Sequence, residues 1–452
     1  MRRVTPALLA ASIVTLACSD PTARDETSSG GGSGGSGAQT GGTAGSGTQP
    51  GGAGGSSAGT RGGAGGGSSA VTWSEHVAPI VFRECVGCHR DGGIAPFSLT
   101  TYASAAESAS SIAYATGTRY MPPMPVDNSG SCNTYSNARW LSDAEIATIG
   151  AWDRGGALEG EPSLAPELPA APAGLERVDM TLDAMASYTP NEALNDDYRC
   201  FVVDPGLASD AFLVAYDVVP GDPRIVHHVI TYAPETDEES ALAEALDAAE
   251  PGLGYTCFGS SGVDASPVVL WAPGTGVTRL PEGTGLPLAA GRKLVLQVHY
   301  NLAPGAFPDR TTVRLETAPS VARPAVFTPV ADLSLEVPPG QALAVSTRTF
   351  SLGTPIPAMT IYGVLPHMHT LGRTLRLEAT TGANAASGCL VNVDRWNFHW
   401  QNAWWYETPV VANNLSSYTL SCGYDTSSRT TPVTWGEGTD DEMCIVYLYA
   451  TF

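Results

Sequence analysis

Arg224-Ile225-Val226-His227-His228-Val229-Ile230-Thr231-Tyr232 is a strand-like apolar run with two histidines at its centre. Two more such runs carry histidine. One is Lys293-Leu294-Val295-Leu296-Gln297-Val298-His299-Tyr300; the other, Met359 to Leu365, leads into His367-Met368-His369. From about residue 175 onward the chain reads as short β-runs separated by Gly/Pro turns, with few helical segments. Asp237 to Glu250, rich in Glu and Ala, is the exception and reads as a surface helical insertion.

Residues i and i+2 of a strand face the same side, so His367 and His369 can grip one metal together. Adjacent histidines face opposite ways in a flat strand. His227 and His228 can therefore share a metal only at a bend or with matching rotamers. A lone histidine in such a run is most often a satisfied core or edge residue. Here five of the eight histidines in the whole chain fall in these three places, which favours a metal. Imidazole suits copper and zinc, and a thioether ligand points to Cu(I).

The 452 residues leave room for two or three domains of roughly 100–200 residues each. The net charge is −22, and Lys293 is the only lysine. So acidic a chain repels phosphate backbones, which argues against nucleic acid as a partner. Of 51 glycines, 20 lie between Gly30 and Gly67. Residues 19–70 read as a flexible Gly/Ser-rich tether, too poor in apolar residues to bury a core. At the start, Arg2 and Arg3 precede an apolar run from Ala7 to Ala17. That run is shorter than the about 20 residues needed to span a bilayer and reads as an export signal, residues 1–18. Ala17-Cys18-Ser19-Asp20 resembles a bacterial lipobox, although Thr15 stands where that motif usually has Leu. A lipid on Cys18 would make this an outer-membrane or cell-surface lipoprotein, touching membrane only through that lipid. Ordinary cleavage nearby would leave it periplasmic.

Cys85-Val86-Gly87-Cys88-His89 is the covalent haem-attachment motif, with His89 as the proximal iron ligand. A thioredoxin-type pair would need a surrounding βαβ pattern, and zinc a second ligand pair; neither is present. Ser74 to Phe82 has helical spacing, and Ser142-Asp143-Ala144-Glu145 forms a capping box opening a helix over Ile146 to Trp152. Residues 71–160 thus resemble a class I cytochrome c, a small all-α domain. In that family the sixth ligand is usually a Met in a Pro-rich loop. Here the loop is Tyr120-Met121-Pro122-Pro123-Met124-Pro125, with Met121 the expected ligand and Met124 the alternative. A thioether opposite imidazole favours electron transfer. His76 reads as a surface residue. Residues 161–174 form a Pro-rich linker. Nine cysteines occur. Setting aside Cys18, Cys85 and Cys88, the even remainder makes three disulfides the natural count in an oxidising compartment, with connectivity not given by spacing.

Residues 175–452 resemble the copper type II, ascorbate-dependent monooxygenases, the family of peptidylglycine- and dopamine-hydroxylating enzymes. The matching motifs are His227-His228, Gln297-Val298-His299-Tyr300, His367-Met368-His369-Thr370-Leu371-Gly372 and Asp441-Glu442-Met443-Cys444, in the family's order. The resemblance implies two successive antiparallel, jelly-roll-like β-sandwiches, at 175–320 and 321–452. It implies that His227, His228 and His299 hold an electron-storing copper. His367, His369 and Met443 would hold the copper that takes O2 and substrate. It pairs Cys422 with Cys444 and Cys200 with Cys257. Cys132 and Cys389 remain, one in each module, either bridged or unpaired. Tyr447 matches a substrate-contacting Tyr. Leu365 stands where peptide-hydroxylating members have an Arg for the substrate carboxylate, and Ile445 where they have an Asn. A more apolar or neutral substrate is therefore expected. His399 has no ligand role in the family and reads as part of an aromatic cluster.

The expected protein is an exported copper monooxygenase that hydroxylates an activated C–H bond of a small molecule with O2. Its cofactors would be two copper ions and one haem c. An upstream donor supplies electrons through the haem, with ascorbate or another external reductant possible. The rival is a non-catalytic electron-transfer or copper-binding cytochrome fusion, which would have no use for an open site at His367, His369 and Met443. A zinc hydrolase is weaker, because no carboxylate accompanies the histidines in motif form and Met is a poor zinc ligand.

Overall fold

The α-helices precede the strands along the chain, with one exception at Asp237–Ala249. The computed structural model describes residues 70–93, 95–123, 126–171, 173–258, 260–273, 275–382, 386–436 and 441–452. The export signal with Cys18, the tether up to residue 69 and Met124 lie outside these residues.

A π-helical turn at Trp73–Val77 runs into α1 (Ala78–Glu84), followed by α2 (Tyr102–Glu107), α3 (Ala109–Gly117) and α4 (Asp143–Arg154). Pro79 sits in the first turn of α1, where its missing N–H costs no helical bond. The capping box forms as the sequence leads one to expect. Ser142 Oγ accepts from Glu145 N, and Glu145 Oε2 accepts from Ser142 N. Trp73, Val81, Leu141, Ile149 and Trp152 pack into a core belonging to this part alone.

The first β-region has two sheets over one core. One sheet runs β5 (Tyr255–Thr256), β2 (Asp196–Val203), β9 (Leu294–Asn301), β4 (Val226–Pro234), β6 (Ala265–Trp271). The other runs β1 (Met180–Asp183), β10 (Thr312–Ala318), β3 (Ala211–Val219), β8 (Thr284–Leu288), β11 (Arg323–Pro324), with β7 (Thr278–Arg279) also on β3. Phe201, Val229, Leu296 and Val298 from the first sheet meet Leu213, Leu286, Val313 and Leu315 from the second. The β9 burial is nearly continuous, as a central strand of alternating Leu and Val requires. The predicted insertion is α5 (Asp237–Ala249), started by Thr236, whose Oγ1 accepts from Glu239 N.

The chain changes sheet at Ala325. The second β-region is also antiparallel. Its six strands form one antiparallel sheet, β12 (Val326–Ala331), β19 (Ile445–Thr451), β14 (Ala344–His367), β17 (Trp404–Tyr424), β15 (Gly372–Thr381), β16 (Ala386–Val393), beside a small pair, β13 (Glu336–Val337) with β18 (Val433–Thr434). Two of these strands, β14 and β17, are long, 24 and 21 residues. They stay paired through a register shift between Ser351 and Ile356; β15 joins β17 over 417–424 and β19 joins β14 over 360–367, so two groups of strands sit at opposite ends of the long pair and share one core.

The segment 126–138 fastens the helical part to this second sheet. Val126 and Tyr135 are buried in the sheet's core. Tyr135 stacks on Tyr406 at 5.2 Å and its hydroxyl donates to Leu390 O. Asn137 Nδ2 donates to Ala403 O, and its Oδ1 accepts from Trp405 N. Cys132 is disulfide-bonded to Cys389, which settles the pairing that spacing left open. Cys200–Cys257 and Cys422–Cys444 are the other two disulfides, matching the pairs implied by the resemblance. Three disulfides belong with an oxidising compartment. Among the described residues no helix is long and apolar enough to cross a membrane.

Candidate metal centres

His227 and His228 sit on β4, beside His299 on β9. A register shift in the β4–β9 ladder between Val226 and His228 supplies the bend that two adjacent histidines need to face one point. His228 is paired directly with His299. The three Nδ1 atoms converge: His227 to His228 3.3 Å, His227 to His299 3.0 Å, and His228 to His299 3.2 Å. Three nitrogens each about 2 Å from one ion would be spaced by about 3.3 Å in a tetrahedral arrangement. The donor set therefore fits one metal ion, held through Nδ1 of each ring. Outer partners take the opposite nitrogens of two rings. Asp196 Oδ1 lies 2.9 Å from His299 Nε2, and His399 Nδ1 lies 2.8 Å from His227 Nε2. Tyr198 stacks on His299 at 4.0 Å. Burial, with the neighbouring imidazoles adding to it, holds all three rings neutral. His227 is lowered to about 4, and His228 and His299 fall well below the usual range. Neutral imidazole is the ligating form.

The second cluster is built differently. His367 ends β14 and pairs with Ile445 of β19, so Met443, two residues before Ile445, approaches the same end of the sheet. Glu442 joins the pieces. Its carboxylate is fully buried and accepts N–H bonds from His369 and Leu371, at 2.8 and 2.6 Å. It thereby ties the His-x-His turn to the Met443 segment. Burial pushes the Glu442 carboxyl up to about 7, against the pull of these backbone donors. His367 Nδ1 lies 2.5 Å from Gln401 Oε1, and His369 Nδ1 lies 3.1 Å from Asp441 O. With Nδ1 of both rings engaged there, Nε2 is the nitrogen each presents to a metal. Burial first, then the His369 charge, lowers His367 to about 3. Tyr424 donates to Met443 O, and the Cys422–Cys444 bridge anchors the residue after Met443.

The two clusters face each other. His367 is among the charges that depress His228, and the Phe398 ring lies 6.0 Å from His227, 6.4 Å from His299 and 6.3 Å from His369. Leu365 and Tyr447 are paired across β14–β19 and pack against the core of the first β-region, next to Tyr362 and Trp405.

In the helical part, Cys85 and Cys88 are the cysteines outside disulfides among the described residues. They follow directly on α1. Burial pushes the Cys85 thiol up to about 12. Arg139 Nη1 donates to Cys88 Sγ at 2.9 Å. His89 Nδ1 lies 3.1 Å from Phe97 O, and burial lowers its pKa. Met121 lies beyond α3, its N–H bonded to Ala115 O. His76, expected at the surface, is half-buried with Nδ1 3.2 Å from Thr72 N, part of the turn that starts the helical part.

Residues 335–450 match the family model described as copper type II ascorbate-dependent monooxygenase, C-terminal domain. The second β-region is thus similar to a copper monooxygenase domain. The chain is 23% identical to tyramine beta-hydroxylase of Caenorhabditis briggsae over 337 residues, 69% of this chain and 54% of that protein. It is 24% identical to dopamine beta-hydroxylase of Rattus norvegicus over 316 residues, 63% of this chain and 48% of that protein. MOXD1 homolog 1 of Drosophila melanogaster is 20% identical over 299 residues, 61% of this chain and 42% of that protein. The chain spans about half the length of these relatives. The structure of the infectious bursal disease virus VP2 subviral particle aligns with 62% of this chain and 73% of that chain at 12% identity. Its TM-score of 0.16 carries no argument.

Proposed function

We propose that this protein is an exported copper monooxygenase that hydroxylates an activated C–H bond of a small molecule with O2. The observation that carries the reading is the triangle of Nδ1 atoms at His227, His228 and His299, opposite the His367–His369 turn in the region that matches the monooxygenase model. His227, His228 and His299 would hold one copper, and His367, His369 and Met443 a second. Copper so bound supplies one-electron chemistry and a place for O2. The chain's own residues do the rest. Asp196, Gln401 and Asp441 hold the rings by their outer nitrogens. Glu442 keeps the His-x-His turn in register with Met443. The Phe398 ring stands within 6.4 Å of His227, His299 and His369 and so borders both clusters. Leu365, at the position where the resemblance puts a carboxylate-binding Arg, is the strand partner of Tyr447, and this favours an apolar or neutral substrate.

Electrons would arrive through a haem attached to Cys85 and Cys88 with His89 and Met121 as axial ligands. The residues present are compatible with it: two thiols outside disulfides at the right spacing, and an imidazole whose Nδ1 is already tied to a backbone carbonyl. A haem c supplies single electrons, and residues 126–138 hold the helical part against the second sheet, which favours local delivery over chance encounter. Ascorbate or another external reductant remains an alternative source. A lipid anchor at Cys18 is part of the same reading.

The test is anaerobic purification and metal analysis, and this reading expects two coppers and one haem per chain. Reduced protein is then given O2 under single-turnover conditions with candidate substrates. Haem oxidation at a rate independent of protein concentration, with a hydroxylated product, supports the reading. Product with haem still ferrous overturns the haem as reductant. Copper-free protein overturns the monooxygenase.

A further inference from the structure

The turn Phe398–Gln401 belongs to neither histidine cluster, yet it touches both. It leaves β16 and enters β17, so it is carried entirely by the second sheet. Asn397 shapes it, its side chain accepting from His399 N at 3.0 Å. Gln401 Nε2 donates to Phe398 O at 2.9 Å, which fixes the amide and aims Oε1 at His367 Nδ1. Two residues earlier, His399 Nδ1 reaches His227 Nε2 at 2.8 Å, the rings perpendicular. This is a contact across the two β-regions, 172 residues apart in the chain. It corrects the expectation that His399 only joins an aromatic cluster: Phe398 is beside it, but its ring nitrogen serves the first centre.

We propose that this turn is a bridge that positions both centres, with His399 a positioning residue of the first. The proposal rests on the reading of His227, His228 and His299 as copper ligands and deepens it. With Nδ1 of His227 given to the metal, its Nε2 carries the proton and donates to His399 Nδ1, and the His399 proton sits on Nε2. A ligand histidine whose other nitrogen is so tied has a fixed tautomer and ring orientation, and it is a stronger donor. Asp196 does this for His299 from within the same sheet. His399 does it for His227 from the other sheet. The first centre is therefore complete only when the two β-regions are docked, and a shift of the turn moves His227 and His367 together.

The experiment uses the whole chain, loaded with copper and matched for folding by circular dichroism. Copper affinity at each centre is measured by competition with a chelator, and Cu(II) electron paramagnetic resonance reports the ligand field. His399→Ala should weaken the first centre about 10-fold and change its Cu(II) spectrum. His399→Asn places an amide oxygen where Nδ1 was and should restore both. His399→Gln carries its amide one bond too far and should resemble Ala. Gln401→Ala should alter the second centre's spectrum and leave the first. An Ala variant equal to wild type in affinity and spectrum overturns the bridge while leaving the copper reading intact. So does rescue by Gln but not Asn. Wild-type protein that binds no copper at the three histidines overturns the copper reading and the bridge with it.

Discussion

The first histidine cluster is assembled within one ladder, and the second from separate pieces of chain. His227, His228 and His299 lie on neighbouring strands in the middle of a five-stranded sheet, and a single bulge aims them. His367 and His369 leave the end of β14, Met443 comes from the approach to β19, and Glu442 ties the pieces by backbone bonds. A site inside a ladder inherits its precision from the sheet. A site assembled from strand ends needs a dedicated buried group to hold it, and that group is a point of failure. Predictions follow by striking each side in turn.

The largest effect should come from His299→Ala. It removes one corner of the nitrogen triangle, so one of the two copper equivalents is lost while the second stays bound, as metal analysis would show. Met443→Ile should come next. It spares the first centre and weakens Cu(I) binding at the second, because the thioether is what favours the reduced ion. Equal Cu(I) affinity in mutant and wild type would remove Met443 from the ligand set. Glu442→Gln should be milder in metal binding but visible in stability. One of the two oxygens becomes an NH2 facing backbone N–H groups, at a cost of about 1–3 kcal/mol. Denaturant unfolding should show the loss, with only the second centre's spectrum altered. Asp196→Asn should be the smallest. The amide oxygen still meets His299 Nε2, so first-centre affinity should fall by no more than about 10-fold. A larger drop than for Glu442→Gln at the second centre would reverse the comparison.

Much of this was legible in the residues, for physical reasons that differ by element. The strands around His227, His299 and His367 announce themselves because a strand buried on both faces shows its apolar residues in a short run. The capping box at Ser142 is equally local: two side chains three residues apart satisfy each other's backbone. The i, i+2 spacing of His367 and His369 was read as strand geometry, yet β14 ends at His367, and His369 is held beyond it by Glu442 with the two rings 5.2 Å apart. What could not be read is what depends on docking. His399, Gln401 and Asp196 act on rings in other segments, and no periodicity marks them. The bulge at His227 was stated as a requirement, yet its presence is a property of the β4–β9 register. Asp441-Glu442-Met443-Cys444 was singled out for Met443, whereas the buried carboxylate beside it does the joining. That β14 and β17 each run through both strand groups was not read, because nothing in their composition says that pairing continues past Ser351.

The Cys132–Cys389 link spans 257 residues and encloses the whole first β-region in a covalent ring. The exposed proline-rich stretch after α4, around Pro162 to Pro169, lies on that ring. A protease that nicks this stretch therefore releases nothing. The two fragments stay joined through sulfur and would migrate as one species on a gel until a reductant is added. Reduction alone, with the backbone uncut, would also leave them joined. Only both cuts together remove every covalent tie, and the buried Val126 and Tyr135 would then hold the helical part to the second sheet by packing alone.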